Sequence, residues 1–261
     1  MSVLVYIENV EGKFKKSAFE VLSFGSAIAT HLKLPLVALS IGDVSDDELA
    51  KAGKYGATKV LKSTGDNLKA MNAQPYSSVV AQAATAEGSK VVVMSASFAG
   101  NAIAPRVAIK LNAGLGENII DLPEMSSGFV VKKGAYSGKA FAFVEILSDV
   151  KVISMMPNSY KVVENATEAS IVPFAATIDE NDTKMLVKET IRSTDKVSLP
   201  DAELVVSAGR GMKGPENWGM IEELAQILGA ATACSKPVSD SGWRPHSEHV
   251  GQTGIAISPN L

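Results

Sequence analysis

The sequence predicts an α/β fold with two domains: an N-terminal parallel-sheet domain with added strands, and then the first part of a doubly wound domain. Short apolar runs alternate with segments of helical spacing as far as residue 111. Two strand-like runs, joined through a glycine-containing turn, follow from Gly128. After a polar stretch at 176–202, an apolar strand leads through a glycine-rich turn into an amphipathic helix.

The first 111 residues contain four predicted strands, each followed by a predicted helix. Ser45 and Glu48 form a capping-box pattern at the start of the second helix. Strands that alternate with helices of this length predict a parallel sheet that is covered on both faces. The strands are 3–7, 36–41, 59–61 and 91–94, and the helices are 15–32, 46–55, 77–86 and 102–111.

The rhythm of strands and helices changes after Gly128. Residues 129–147 predict two strands with a turn between them, and 151–155 predicts a further strand. Residues 176–202 are polar and charged, and within them 184–192 is expected to be an extended connection. The predicted domains are therefore 1–194 and 195–261.

Composition indicates an ordinary globular protein, with 46% hydrophobic and 20% charged residues. The net charge of −3 argues against a nucleic-acid partner, which needs a basic face. No apolar run is long enough to cross a membrane, and the first residues predict a buried strand rather than a signal peptide. The single cysteine, Cys234, excludes an internal disulfide and favours a buried, inert thiol in a reducing, cytoplasmic setting.

The glycine-rich turn of the second domain contains Gly209, Gly211 and Gly214, which satisfy the pattern G-x-G-x-x-G between a strand and the helix at 218–228. Backbone amides at such a turn suit a phosphate. NAD fits poorly, because the next strand, 230–234, is followed by Ser235 and Lys236 rather than by an acidic residue. Arg210 is awkward for a dinucleotide turn and suits an anion or an electron-rich ring.

A second cluster lies at 250–254, where Gly251 and Gly254 bracket Gln252 and Thr253. The glycines allow the backbone to approach a ligand closely, while the amide and the hydroxyl offer hydrogen bonds to it. An ordinary polar turn is the alternative interpretation of this cluster by itself.

Three motifs in this part of the chain closely resemble the FAD-binding domain of the electron transfer flavoprotein alpha subunit, in the order and spacing of that family. They are Gly-Arg-Gly-Met-Lys-Gly-Pro-Glu-Asn at 209–217, Ser-Lys-Pro at 235–237 with Asp-Ser-Gly-Trp at 240–243, and Val-Gly-Gln-Thr-Gly at 250–254. The N-terminal part is also similar to that subunit, in Val-Leu-Val-Tyr-Ile-Glu at 3–8 and Pro-Arg-Val-Ala at 105–108. The resemblance covers essentially the whole chain.

The resemblance implies a set of cofactor-binding residues. Arg210 would lie near the flavin ring, and the Thr253 hydroxyl would lie near flavin N5. The family usually has arginine where this chain has Lys236, and serine where it has Gly214. Lysine keeps the charge but lacks the planar fork of arginine. The full implied set is Arg210, Gly211, Ser235, Lys236, Val250, Gly251, Gln252 and Thr253.

The resemblance further implies an electron carrier rather than an enzyme that makes bonds. It would bind FAD, form a heterodimer with an electron transfer flavoprotein beta subunit through the N-terminal domain, and serve processes such as fatty acid beta-oxidation. Acyl-CoA or related dehydrogenases would supply electrons, and a quinone reductase, ferredoxin or flavodoxin would accept them. In the family, further strands and helices follow the position of Leu261, so the FAD-binding domain is expected to be incomplete at its C-terminal end.

Two other functions stay open. One is a nucleotide-binding or assembly module without a functional flavin, which is the interpretation that an incomplete FAD-binding domain favours. The other is an NADP-dependent oxidoreductase using Lys236, although no hydride-partner site is identifiable. A metal site is not expected, because His246 and His249 have no third ligand at useful spacing. Trp218 and Trp243 are expected to pack in the core or in a lid.

Overall fold

The computed structural model describes residues 1–136, 139–190, 199, 202–257 and 259. The chain divides into two compact units, Met1–Thr190 and Ile191–Leu261, here called the first unit and the second unit. The predicted domain boundary between 194 and 195 lies outside the described residues.

Within the described residues of the first unit, nine strands form one sheet in the order β11-β5-β4-β1-β6-β10-β7-β8-β9. Strands β7, β8 and β9 pair antiparallel, and the other neighbours pair parallel. A small hairpin, β2–β3, stands apart from this sheet. The strands are β1 Ser2–Ile7, β2 Asn9–Val10, β3 Lys13–Phe14, β4 Leu36–Ile41, β5 Ala57–Ser63, β6 Ser89–Ser95, β7 Gly114–Ile119, β8 Val130–Ala135, β9 Ala140–Glu145, β10 Lys151–Met155 and β11 Ser170–Pro173.

Helices cover both faces of the sheet, as the sequence predicts. Alternate residues of β1 enter two separate cores: Val3 and Val5 pack on the side of the first helix, and Leu4 and Tyr6 pack on the other side. A Cβ added to Gly25 of the first helix would lie 2.3 Å from Val5 Cγ2, so glycine allows that helix to approach the sheet closely. The helices are α1 Lys16–Leu32, α2 Asp46–Ala50, α3 Ala73–Ala86 and α4 Phe98–Leu111.

The second predicted helix is shorter than expected. Ser45 caps it, with its Oγ accepting from the Glu48 amide at 3.3 Å, which confirms the predicted start. The α-helix ends at Ala50, and Lys51–Lys54 continues as a 3₁₀ turn. The Gly53 carbonyl near the end of this turn accepts from the Gly56 amide at 3.3 Å and from the Thr167 amide at 2.8 Å.

Two strands of the sheet are absent from the sequence-based prediction. Strand β7 contains two glycines and two polar residues, so it shows no alternating apolar pattern. Strand β11 has only four residues and is held as an edge strand by parallel pairing with β5. The predicted hairpin after Gly128 is confirmed as β8 and β9, and β10 matches its predicted bounds.

The second unit contains two parallel strands, β12 Val205–Ala208 and β13 Ala231–Cys234. Helix α5, Gly219–Leu228, connects them, and helix α6, Lys236–Asp240, follows β13. This confirms the predicted order of strand, turn, helix and strand. Cys234 is fully buried, as predicted, and burial together with the nearby Glu248 carboxylate raises the pKa of its thiol.

Across the part of the chain that the structure describes, no helix combines the length and the apolar character that a bilayer crossing needs. The predicted extended connection at 184–192 contains no helix or strand within 184–190, and its last two residues lie outside the described ranges.

Candidate functional site

The carboxyl ends of β12 and β13 bring the glycine-rich turn next to Ser235. Ala208 and Cys234, the last residues of the two strands, are paired in register. The Ser235 amide donates to the Ala208 carbonyl at 3.1 Å, and a Cβ added to Gly209 would lie 3.4 Å from Ser235 Oγ. Parallel strands place the residues that follow them at one edge, where ligands of doubly wound sheets bind.

The loop at 249–254 reaches the same edge. The Val250 amide donates to the Cys234 carbonyl at 3.1 Å, and the Ile255 amide donates to the His249 carbonyl at 2.8 Å, which closes the loop. Glycine is required twice in it. Gly251 has a φ of +129°, and a Cβ on Gly254 would lie 2.3 Å from the His249 carbonyl oxygen.

Three predicted segments therefore meet at one edge of the second unit: the turn at 209–214, Ser235 with Lys236, and the loop at 250–253. The side chains of Arg210, Lys236, Gln252 and Thr253 are exposed there, whereas Ser235 and Val250 are half-buried. Their contacts with a flavin stay a prediction.

The turn itself is more irregular than the sequence pattern suggests. Arg210–Met212 forms a 3₁₀ turn, Lys213 adopts a left-handed conformation with φ +68°, and Pro215–Asn217 forms a second 3₁₀ turn. Helix α5 begins only at Gly219, so its N-terminus lies five residues beyond Gly214. A phosphate at this turn would therefore rely on the amides of the two 3₁₀ turns more than on the dipole of α5.

At position 214 this chain has glycine where the family usually has serine, and the structure shows what a side chain would meet there. A Cβ on Gly214 would lie 2.1 Å from Glu216 Oε1, so the carboxylate of Glu216 occupies the space of a side chain at this position. Because a glutamate side chain is flexible, a larger residue would displace the carboxylate without moving the backbone.

The residues at this edge fit the polar side of a flavin. Arg210 and Lys236 supply positive charge, and Ser235, Gln252 and Thr253 supply hydroxyl and amide groups. Among the described residues other than the chain neighbours, none places an atom within 4 Å of a Cβ built on Gly211 or on Gly251, so a flat ring can approach the backbone at both glycines.

No metal centre competes with this interpretation in the described ranges, where no group of three or more His, Cys, Asp or Glu side chains is placed to hold an ion. The rings of His246 and His249 lie 5.5 Å apart, and the His249 side chain is buried. Trp218 is buried against Cys234 and Val238, with Trp243 packed on the same cluster, which confirms a packing role for the two tryptophans.

The sequence analysis did not identify one group of interacting residues around Arg244. Arg244 pairs with Glu248 and with Glu222, and its guanidinium lies over the Trp218 ring. The four-residue spacing of Arg244 and Glu248 could have indicated an ion pair between them. The contact with Glu222 could not be predicted, because it depends on tertiary structure.

Comparison with known proteins gives matches along almost the whole chain. The family model described as the electron transfer flavoprotein domain matches residues 3–188, and that of the electron transfer flavoprotein FAD-binding domain matches residues 198–261. An electron transfer flavoprotein subunit alpha from Syntrophomonas wolfei is 30% identical over 98% of this chain and 80% of its own length.

Two further relatives extend the comparison. The corresponding subunit alpha from Bacillus subtilis is 28% identical over 99% of this chain and 79% of its own length. The lactate dehydrogenase (NAD(+),ferredoxin) subunit LctC from Acetobacterium woodii is 27% identical over 99% of this chain and 63% of its own length.

Proposed function

This chain belongs to the electron transfer flavoprotein alpha-subunit family, and we propose that it works as the FAD-binding half of a heterodimeric electron carrier. The observation that carries the proposal is the meeting of three segments at the carboxyl edge of β12 and β13. Bound FAD would supply the redox chemistry, and the protein would supply binding and electrostatics. The chain would make no bonds of its own.

Each exposed group at this edge has a role in the proposal. Arg210 and Lys236 would hold positive charge near flavin N1 and the C2 carbonyl, where negative charge develops on reduction, and this would raise the potential of the bound flavin. Thr253 would offer one hydrogen bond near N5. The ring would be lined by Gly211, Ser235, Val250, Gly251 and Gln252. Lys236 acts as a compact charge rather than a planar fork.

An FAD titration of the purified chain, followed by flavin fluorescence, tests the binding. We expect a yellow protein that retains FAD through gel filtration. A colourless chain that takes up no FAD would favour the alternative, a nucleotide-binding or assembly module without flavin.

The role of Arg210 has its own test. We expect Arg210→Ala to lower the potential of the bound flavin by tens of millivolts or more, the equivalent of a charge interaction of roughly 1–3 kcal/mol. Arg106→Ala, which removes the same charge from α4 of the first unit, is the matched control. Superimposable redox titrations of Arg210→Ala and the unaltered protein would remove Arg210 from this role.

The partner in this proposal is an electron transfer flavoprotein beta subunit, and the β8–β9 hairpin of the first unit is the surface that supports it. Strand β9 stands at one end of the sheet order among the described residues. Tyr136, Phe141 and Phe143 on this hairpin are 84%, 58% and 68% exposed. Side chains of this size bury about 150–250 Å² each when they are fully covered. The exposed fractions of these three therefore amount to roughly 300–500 Å², about half of one partner's share in a standard interface of about 800 Å².

Co-expression with a beta subunit tests this surface. We expect the double variant Phe141→Ser/Phe143→Ser to lose co-purification with the beta subunit while keeping the far-ultraviolet circular dichroism of the unaltered chain. Phe98→Ser, at an exposed phenylalanine of α4, is the control and should keep the partner. A double variant that still co-purifies would place the interface elsewhere.

The redox partners are also part of the proposal. Acyl-CoA or related dehydrogenases would donate electrons, and a quinone reductase, ferredoxin or flavodoxin would accept them, in the cytoplasm. The name of the Acetobacterium woodii relative pairs NAD(+) with ferredoxin, which makes ferredoxin the acceptor to assay first. Reduction of each acceptor by the dithionite-reduced, reconstituted carrier distinguishes between them.

A further inference from the structure

Arg244 connects the two glycine-containing segments of the second unit through their neighbours. Its Nε and Nη2 donate to the two carboxylate oxygens of Glu248, each at 2.8 Å, and its Nη1 donates to Glu222 Oε1 at 2.7 Å. The guanidinium carbon also lies 5.6 Å from the centre of the Trp218 ring. One side chain therefore uses three donors and a flat face at the same time.

The partners of Arg244 belong to both segments. Trp218 occupies the N-cap position of α5, and Glu222 lies in the first turn of that helix. Helix α5 follows the turn at 209–214 in the chain. Glu248 lies two residues before Val250, whose amide is bonded to the end of β13. The position of the loop at 250–253 relative to the turn at 209–214 is therefore linked through one guanidinium.

The Arg244–Glu248 pair is shielded from water, with side chains that are only 13% and 7% exposed. The side chain of Glu222, the other partner, is 49% exposed. Removing one member of such a pair leaves the other charge poorly solvated. Lysine keeps the charge but cannot make the two parallel bonds of the fork or reach Glu222 at the same time.

We propose that Arg244 is a positioning residue of the flavin site, which fixes the loop at 250–253 against the turn at 209–214 and thereby sets FAD affinity and flavin potential. The proposal rests on the proposed function, because it concerns the same cofactor. Arg244 acts through Glu248 and Glu222, and not as a ligand of the flavin.

Amide hydrogen exchange of the chain without FAD gives the first test. The Val250 and Ile255 amides close the loop, with bonds of 3.1 Å and 2.8 Å to the carbonyls of Cys234 and His249. We expect Arg244→Lys to speed exchange of these two amides by roughly tenfold, as local opening becomes easier, and to leave α1 unchanged. Glu223→Gln, at the exposed neighbour of Glu222, is the control. Unchanged exchange in Arg244→Lys would overturn the proposal whether or not FAD binds.

FAD binding to the same variants gives the second test. We expect Arg244→Lys to weaken FAD binding by roughly tenfold or more, the effect of losing one charge-assisted hydrogen bond. The visible circular dichroism and the potential of the remaining bound flavin should also shift, which a merely destabilised fold would not cause. Affinity, spectrum and potential equal to those of the unaltered protein would overturn the proposal.

Two further outcomes are a variant that does not fold and an unaltered chain that binds no FAD. If Arg244→Lys fails to fold, Glu222→Ala carries the same measurements, because it removes one bond to Arg244 and leaves the fork with Glu248. If the unaltered chain binds no FAD, the proposed function fails, and with it the claim that Arg244 sets flavin affinity. The exchange experiment then decides the remaining claim, that Arg244 orders the loop.

Discussion

The two units differ in what holds them together. The first unit has a nine-stranded sheet with a core on each face, and α1, α3 and α4 shield its central strands. The second unit has two described strands, two small apolar clusters and an ionic network around Arg244. Apolar burial is therefore the main stabilising contribution in the first unit. Specific polar contacts contribute a larger share of the stabilisation in the second unit.

The sequence provides separate optical probes for this comparison. Both tryptophans, Trp218 and Trp243, lie in the second unit, and all five tyrosines lie between residues 6 and 160, in the first unit. Tryptophan fluorescence therefore follows the second unit, and the tyrosine bands of the second-derivative absorbance spectrum, which are resolved from the tryptophan bands, follow the first unit within one unaltered chain.

The largest expected effect comes from the core of the first unit. Phe24 is fully buried and its ring lies 5.5 Å from that of Tyr160. We expect Phe24→Ala to lower the free energy of unfolding of the first unit by about 3–5 kcal/mol through lost burial and a cavity. Urea denaturation followed by tyrosine absorbance measures this loss. If the tryptophan transition moved by the same amount, the units would not be independent.

A smaller effect is expected from the loop of the second unit. A Cβ at Gly254 would lie 2.3 Å from the His249 carbonyl oxygen, so Gly254→Ala must shift the backbone. We expect a loss of about 1–3 kcal/mol in the unfolding of the second unit, the usual size for local backbone strain, with weaker FAD binding and no change in the tyrosine transition. Gly134→Ala is the control, because among the described residues other than its chain neighbours none places an atom within 4 Å of the added Cβ.

The smallest effect concerns pH and the first unit. Hydrogen bonds from Lys51 and from the Phe14 amide lower the pKa of Glu48, so the carboxylate stabilises the fold above the unfolded-state pKa of about 4.3. This contribution is lost as pH falls through the lower folded-state pKa. We expect Glu48→Gln to flatten the acid side of the stability profile measured by tyrosine absorbance. A profile that stays as steep as that of the unaltered protein would contradict the role of Glu48.

The elements that could be predicted from the sequence differ between the two units. In the first unit, short apolar runs located the strands β1, β4, β5, β6 and β10, because central parallel strands are largely buried on both faces. Strand β7 was missed because its two glycines and polar residues hide its pattern, and β11 because its pairing with β5 joins residues more than a hundred positions apart.

In the second unit, the sequence predicted the order of strand, turn, helix and strand. Because the two strands are parallel and end together, Gly209 and Ser235 lie at one edge. The two 3₁₀ turns before α5 were not predictable from the glycine pattern. The contact of Arg244 with Glu222 was also out of reach, because it depends on how α5 packs against the segment after α6.

The most direct test of the flavin site is amide hydrogen exchange of the unaltered chain with and without FAD. The account predicts that FAD slows exchange in all three segments at the edge of β12 and β13: the turn at 209–214, residues 235–236 and the loop at 250–253. Exchange in α1 of the first unit should stay the same. Protection confined to one segment, or protection in none of the three at saturating FAD, would contradict the account.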